Sequence, residues 1–251
     1  MDSFFADKLE VQIYRDRESL GRAVANDVSN RLMELLKSQD SLRMIFAAAP
    51  SQNELLQNLV TSQVDWSRIS AFHMDEYLNI SKDAPQSFGN FLSRVIFNMV
   101  GFKEINLIDS QSEDPEAECL RYAKMINASA IDVCAMGIGE NGHMAFNDPP
   151  VADFSDPLTM KIVELDQMCR QQQVNDGCFS SLSEVPEKAF TLTISALVQS
   201  KCLFVTVPGK TKAEAIKKTI YDPISSKCPS TLLRSHSNAK LYIDEDSASL
   251  L

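Results

Sequence analysis

IDVCAMGIGENGHMAFNDPP, residues 131–150, opens on six mostly apolar residues and runs without a break into a segment holding three of the chain's 8 glycines, Gly137, Gly139 and Gly142. The first part has the composition of a strand buried on both faces. The second permits a tight turn and lets the backbone come close to a ligand. A buried strand ending in such a loop is the repeating unit of α/β architectures, where ligands sit beyond the carboxyl ends of the strands.

The same alternation extends in both directions. Toward the N-terminus, Leu20, Val24, Val28, Leu32 and Leu35 recur at helical spacing over 17–38, LRMIFAA (42–48) reads as a buried strand, 53–60 as a helix and RISAFHM (68–74) as a strand. A helix over 88–100, a strand over 105–108 and a helix over 115–126 lead back to the starting segment. Toward the C-terminus, KIVEL (161–165), AFTLTI (189–194) and CLFVTV (202–207) read as strands, 210–220 as a helix and KLYID (240–244) as a last strand. This predicts an α/β fold: a three-layer, Rossmann-like arrangement with a mostly parallel central sheet flanked by helices. No linker rich in Pro, Gly or Ser divides the 251 residues, so one domain over 1–251 is expected.

Composition narrows the function classes. With 44% hydrophobic and 23% charged residues the chain is near the globular average, which excludes disordered and low-complexity classes. A net charge of −10 and a pI near 4.8 argue against nucleic-acid and anionic-membrane partners, both of which need basic patches. No stretch approaches the roughly 18 apolar residues of a membrane span. The start, MDSFFADKLEV, lacks the basic residues and apolar run of a secretory signal, and the six cysteines form no CxxC pair. A cytoplasmic protein with reduced thiols is the expectation.

The loops that follow predicted strands, 48–52, 74–80, 137–149 and 208–212, are where chemistry is expected. In the glycine-rich loop His143 lies close to Asn141 and Asp148. Histidine suits proton transfer near neutrality, and a partner on its far nitrogen fixes the tautomer. GIGENG has GxGxxG spacing, yet the residues after it do not open a helix, so it makes a poor dinucleotide site. In HMDEYLNI (73–80), Asp75 and Glu76 are neighbours at a strand end and must point in different directions, one into a cleft as a general base and the other to backbone or solvent. His73, Asp75 and His143 are ligand types for a metal, but a single HxD pair is weak, and neither a metal nor an organic cofactor is expected.

The segments FHMDEYLNI (72–80), GIGENGHMAFNDP (137–149), LDQMCR (165–170), VPEKAFTLTI (185–194) and GKTKAEAI (209–216) together resemble the glucosamine-6-phosphate deaminase family, part of a group that also contains 6-phosphogluconolactonases. They span most of the chain in order, and the MDEY and GHxAFN pair leans toward the deaminase and isomerase branch. The resemblance implies aldose–ketose isomerisation with deamination of an amino-sugar 6-phosphate, a small-molecule sugar-phosphate partner and no cofactor. It leaves a homo-oligomer open, since family members occur in several assemblies. By position it implies Asp75 as the base that takes the proton from C2 and His143 as the group that helps open the pyranose ring. Asn141 and Asp148 would support that histidine. Ser51, Gly139, Gly142, Arg170 and Lys212 would bind substrate.

The chain also departs from the family pattern. Asn141 stands where deaminases usually carry aspartate, and Asp148 where they carry glutamate. AAAPSQ (47–52) replaces a Thr- and Gly-rich phosphate loop, and Pro50 offers no N–H. Arg170 falls about one helical turn before the place of the family's arginine, whereas Lys212 matches its phosphate lysine. Lactone hydrolysis, which needs an activated water but no base aimed at C2, is one alternative. A sugar-phosphate sensor without activity is the other.

Overall fold

The computed structural model describes residues 2–251. Strands β1 (Asp2–Ala6) and β2 (Leu9–Tyr14) form an antiparallel hairpin that turns at Asp7, φ 52°. Helix α1 (Arg17–Leu35) starts at Asp16, whose side chain accepts from Ser19 N at 2.8 Å while the Ser19 hydroxyl answers the cap backbone. Then come β3 (Leu42–Phe46), α2 (Asn53–Val60), β4 (Ile69–His73), β5 (Asp75–Tyr77), α3 (Phe88–Leu92), β6 (Glu104–Asn106), α4 (Pro115–Asn127) and β7 (Val133–Met136). The last third holds β8 (Met160–Glu164), α5 (Gln167–Asn175), β9 (Lys188–Leu192), α6 (Ile194–Val198), β10 (Cys202–Val207), α7 (Ala213–Tyr221) and β11 (Ala239–Asp244).

The central sheet has eight strands in the order β1-β2-β11-β10-β7-β3-β4-β6, all parallel except β1. Its inner strands are buried on both faces, and alternate residues feed two cores. Met44, Phe46, Val133, Ala135 and Phe204 pack with α1 to α3; Ile45, Cys134, Met136, Leu203 and Val205 pack with α4, α6 and α7. These are the three layers, and the period of two explains the apolar runs read from the sequence.

Two expectations change. KIVEL and AFTLTI do form strands, β8 and β9, but they leave the central sheet and pair antiparallel with β5 in a second sheet of order β5-β9-β8. Strand propensity is local, whereas the partner is settled by where the chain bends, here at Met74, whose carbonyl accepts from Leu192 N at 2.8 Å. The helix expected over 88–100 is a short α-helix that widens to a π-turn over Ser93–Phe97.

Strand order reverses between β3 and β7. From β3 the chain steps outward to β4 and β6, then returns to β7 and proceeds to β10 and β11. The loops leaving β3 and β7 therefore diverge and open a crevice at the carboxyl edge. Helices α1 and α2 brace its rim. A Cβ placed on buried Gly21 of α1 would lie 2.3 Å from Glu54 Cβ and 2.9 Å from its backbone carbon. Only glycine lets the two helices meet this closely, and Gly21→Ala is expected to cost about 1–3 kcal/mol through overpacking. In thermal unfolding this reads as a drop of roughly 2–4 °C per kcal/mol.

Candidate active site

Four loops enclose one cavity of about 280 Å³ at this crevice: 47–52 after β3, Met74 and Asp75 after β4, 137–139 with His143 after β7, and 208–212 after β10. They are the strand-end loops singled out in the sequence. Asp75, His143, Ser51, Gly139 and Lys212 all line the cavity.

Asp75 is the first residue of β5, opposite Thr191 of β9, and is 7% exposed. Alternation along β5 sends Glu76 the other way, toward the start of α3. There its buried carboxylate accepts from Tyr77 N (2.9 Å), Ser87 Oγ (2.7 Å), Phe88 N (3.1 Å) and Gly89 N (2.9 Å). Burial raises the Glu76 carboxyl, against those four donors. Burial also pushes Asp75 well above the usual carboxylate range, and the neighbouring Glu76 charge adds to it. A carboxylate destabilised in this way is a strong base held at the cavity wall.

His143 presents its ring to the cavity while two acceptors hold Nδ1 from behind, Asn141 Oδ1 at 2.8 Å and Asp148 Oδ1 at 2.9 Å. Both are oxygens without a proton to give, so Nδ1 carries the hydrogen and Nε2 is the basic nitrogen. The Asn141 amide donates in turn to Asp148 Oδ1 at 2.8 Å. Burial would raise the Asp148 carboxyl, but His143, then Asn141 and Cys169, hold it below its ordinary value, so it stays charged beside the imidazole. Asn141 and Asp148 do not line the cavity; they touch the His143 ring from behind. The ring has room because a Cβ on Gly139 would meet it at 2.1 to 2.4 Å.

Lys212 ends a single 3₁₀ turn, Lys210–Lys212, that follows Gly209 at φ 96°. It is 6% exposed, and burial lowers its pKa while the charges of Asp176 and Glu140 act in the opposite direction. Among the described residues no carboxylate lies within ion-pair distance of its Nζ, which leaves the ammonium to an anion from outside.

Two expectations do not hold. Arg170 is away from the cavity, its Nη2 donating to the carbonyls of Leu182 (2.8 Å) and Val185 (2.9 Å). Gly142 does not reach the cavity either; its φ of 86° makes the turn, and its Cα faces Cys228, whose Sγ would lie 2.5 Å from an added Cβ. The ligand grouping of His73 with Asp75 and His143 does not form. Buried His73 accepts from Ile108 N through Nε2 at 2.9 Å, and burial lowers its pKa to about 4.

The cavity also uses residues that the sequence reading missed. Gln172, Gln173 and Asp176 reach it from α5 and its end, and Arg17 from the start of α1. Gln173 Oε1 accepts from Tyr77 OH at 2.8 Å and Gln172 Oε1 from Glu140 N at 3.0 Å, so α5 is tied to β5 and to the loop that carries His143. Arg17 binds Glu54 through Nε (2.7 Å) and Nη2 (2.9 Å), and Nη2 also donates to Pro50 O at 2.9 Å, bracing the 47–52 loop. Neither the glutamines of RQQQVNDG (170–177) nor Arg17 carries a local sequence signal of a site.

Residues 15–243 match the family described as glucosamine-6-phosphate isomerases/6-phosphogluconolactonase. The chain is 32% identical over 205 residues to the glucosamine-6-phosphate deaminase of Listeria monocytogenes serotype 4a (strain HCC23), covering 82% of this chain and 86% of that one. It is 33% identical, with the same coverage, to the glucosamine-6-phosphate deaminase of Lactobacillus delbrueckii subsp. bulgaricus. Among solved structures, a monomeric glucosamine-6-phosphate deaminase superposes with a TM-score of 0.89 at 27% identity, over 96% of this chain and 99% of the other. The 6-phosphogluconolactonase of Thermotoga maritima superposes at 0.75 and 18% identity, over 93% and 98%, a likeness of fold.

The raised Asp75 carboxyl has a consequence for stability. The folded state holds this proton more tightly than the unfolded chain, so stability falls as pH rises from the unfolded value, about 3.9, toward the raised folded one. Asp75→Asn removes that penalty. Its melting temperature is expected to exceed wild type at pH 8, with the difference gone near pH 4.

Proposed function

The chain belongs to the family of glucosamine-6-phosphate isomerases and 6-phosphogluconolactonases, and from that premise we propose that it converts a 2-amino-2-deoxy sugar 6-phosphate, glucosamine-6-phosphate in the first instance, to the ketose phosphate and ammonia. The observation that carries this reading is the convergence of Asp75 and His143 on one cavity that Lys212 also lines. The carboxylate is a base freed from other partners, the imidazole exposes a basic nitrogen, and the ammonium supplies the charge for a phosphate.

On this reading His143 handles the proton of the ring oxygen while the pyranose opens, with Asn141 and Asp148 fixing the tautomer. Asp75 takes the proton from C2 of the open-chain aldehyde, giving a cis-enolamine, and a proton is returned to C1. Water adds to the resulting C2 imine and ammonia leaves. A carbon acid of this kind needs its base within about 2.6–3.2 Å, so cavity shape and the fixed end of β5 do most of the work. Lys212 and Ser51 hold the phosphate. Asp176 shares their wall and keeps the site from accumulating positive charge. Six free thiols fit a reducing compartment, and we read the protein as cytosolic.

The test is ammonia release over a panel of amino-sugar phosphates. Asp75→Asn is expected to lose roughly 10²–10⁴-fold in kcat. Release untouched by this substitution would remove the assigned base, and hydrolysis of a 6-phosphogluconolactone in its place would favour the lactonase branch. Lys212→Ala is expected to raise KM for the phosphosugar by about 10–100-fold, the loss of one charged hydrogen bond. An unchanged KM would leave the phosphate without its anchor.

A further inference from the structure

Behind His143, on the side away from the cavity, an imidazole nitrogen of His143, a carboxylate oxygen of Asp148 and the sulfur of Cys169 lie within 4.8 Å of one another. All three residues are buried, Asp148 and Cys169 at 1% exposure. The sulfur comes from the first turn of α5, a different element from the loop that carries the other two. One further observation marks the spot. Asp148 Oδ1 is engaged by His143 and Asn141, whereas buried Oδ2 has no oxygen or nitrogen donor and only the weak Cys169 thiol nearby. An ionised oxygen in that position is costly unless something positive meets it.

We infer that this cluster is a binding site for a zinc-class divalent cation, and that the cation switches the active site off. One nitrogen, one thiolate sulfur and carboxylate oxygen make a donor set that suits Zn²⁺ and the similar Co²⁺. Mg²⁺ and Ca²⁺ prefer oxygen throughout. The fourth position is at hand: Asn141 Oδ1 lies 2.8 Å from His143 Nδ1. Zinc bond lengths of about 2.0–2.3 Å place tetrahedral donors some 3.3–3.8 Å apart. The Nδ1 to Oδ1 pair, at 2.9 Å, opens slightly to reach that spacing, and the sulfur, already within 4.8 Å of both, completes the set.

Binding releases one proton, from the Cys169 thiol, and shifts the imidazole proton from Nδ1 to Nε2, so that the cation bonds a thiolate sulfur and the Nδ1 lone pair of a neutral ring. The relay that fixes the tautomer is thereby broken. Nδ1 becomes a ligand, Asp148 no longer balances an imidazolium, and Nε2 loses its basicity. The inhibitory part rests on the function proposed above; the binding part does not.

The experiment uses the full chain, stripped with a chelator and titrated with Co²⁺. One equivalent is expected to produce a near-ultraviolet thiolate-to-cobalt absorption together with the visible bands of a four-coordinate ion, and Zn²⁺ displaces both. Cys169→Ser and Cys169→Ala, checked for folding by circular dichroism, lose the thiolate band and bind Zn²⁺ at least about tenfold more weakly. Should neither fold, Asp148→Asn keeps the thiol and is expected to weaken binding in the same way. In the ammonia-release assay Zn²⁺ inhibits wild type reversibly, and the cysteine variants require at least about tenfold more for the same inhibition. Absence of the band from wild type, or its persistence in folded Cys169 variants, overturns the site. Equal inhibition of wild type and variants overturns the switch. A band in a protein that releases no ammonia leaves the site standing and removes the functional reading instead.

Discussion

A carboxylate buried without a cation beside it, Asp75, is the constraint on which the site depends. Ionising such a group out of water is unfavourable, and the fold makes it more so by seating Glu76 next to it. The two differ in what surrounds them. Glu76 meets four donors from the turn into α3, while Asp75 is left facing the cavity. Period-two alternation along a three-residue strand separates them, so one becomes a structural anchor and the other a reactive group. The anchored partner secures the loop before α3 and at the same time supplies the negative charge that strengthens its neighbour as a base.

The reversal of strand order supplies the second ingredient. Because the chain leaves β3 in one direction and β7 in the other, four loops of distant sequence position share one rim without blocking it. Three of them are stiffened by side-chain contacts. Arg17 and Glu54 hold the 47–52 loop, Asp244 accepts from Gly209 N at 3.0 Å behind the lysine turn, and Asn141 and Asp148 hold His143. The second sheet and α5 close the remaining side, and α5 binds β5 and the glycine-rich loop through Gln173 and Gln172. Positioning of this kind is what proton transfer from carbon demands.

The cationic side is sparse. Lys212 is the one cation drawn deep into the cavity wall, Arg17 is shared with Glu54, and Arg170 is spent on backbone carbonyls. Asp176 offsets part of the remaining charge. The net acidity of the chain thus coexists with a buried ammonium at the cavity wall, where the surface field of distant charges is screened.

Much was legible in the residues alone. Apolar runs and helical stripes located β3, α2, β4, α4, β7, β10 and β11 closely, and the strand-end rule pointed to the loops that meet at the cavity. Asp75 and Glu76 had to diverge because neighbours on a strand always do. LEVQIY alternates in the manner of a strand as well, although the hairpin it belongs to went unread. What the residues alone determined, then, were local matters: periodicity, turn chemistry and the donor types available to each loop. Tertiary structure alone decided that β8 and β9 leave the central sheet, that Arg170 turns inward to two carbonyls, and that Arg17, Gln172 and Cys169 come to stand beside loops far away in sequence. The physical reason is that a side chain's partner depends on which surfaces are brought together in space, and backbone propensity carries no record of that.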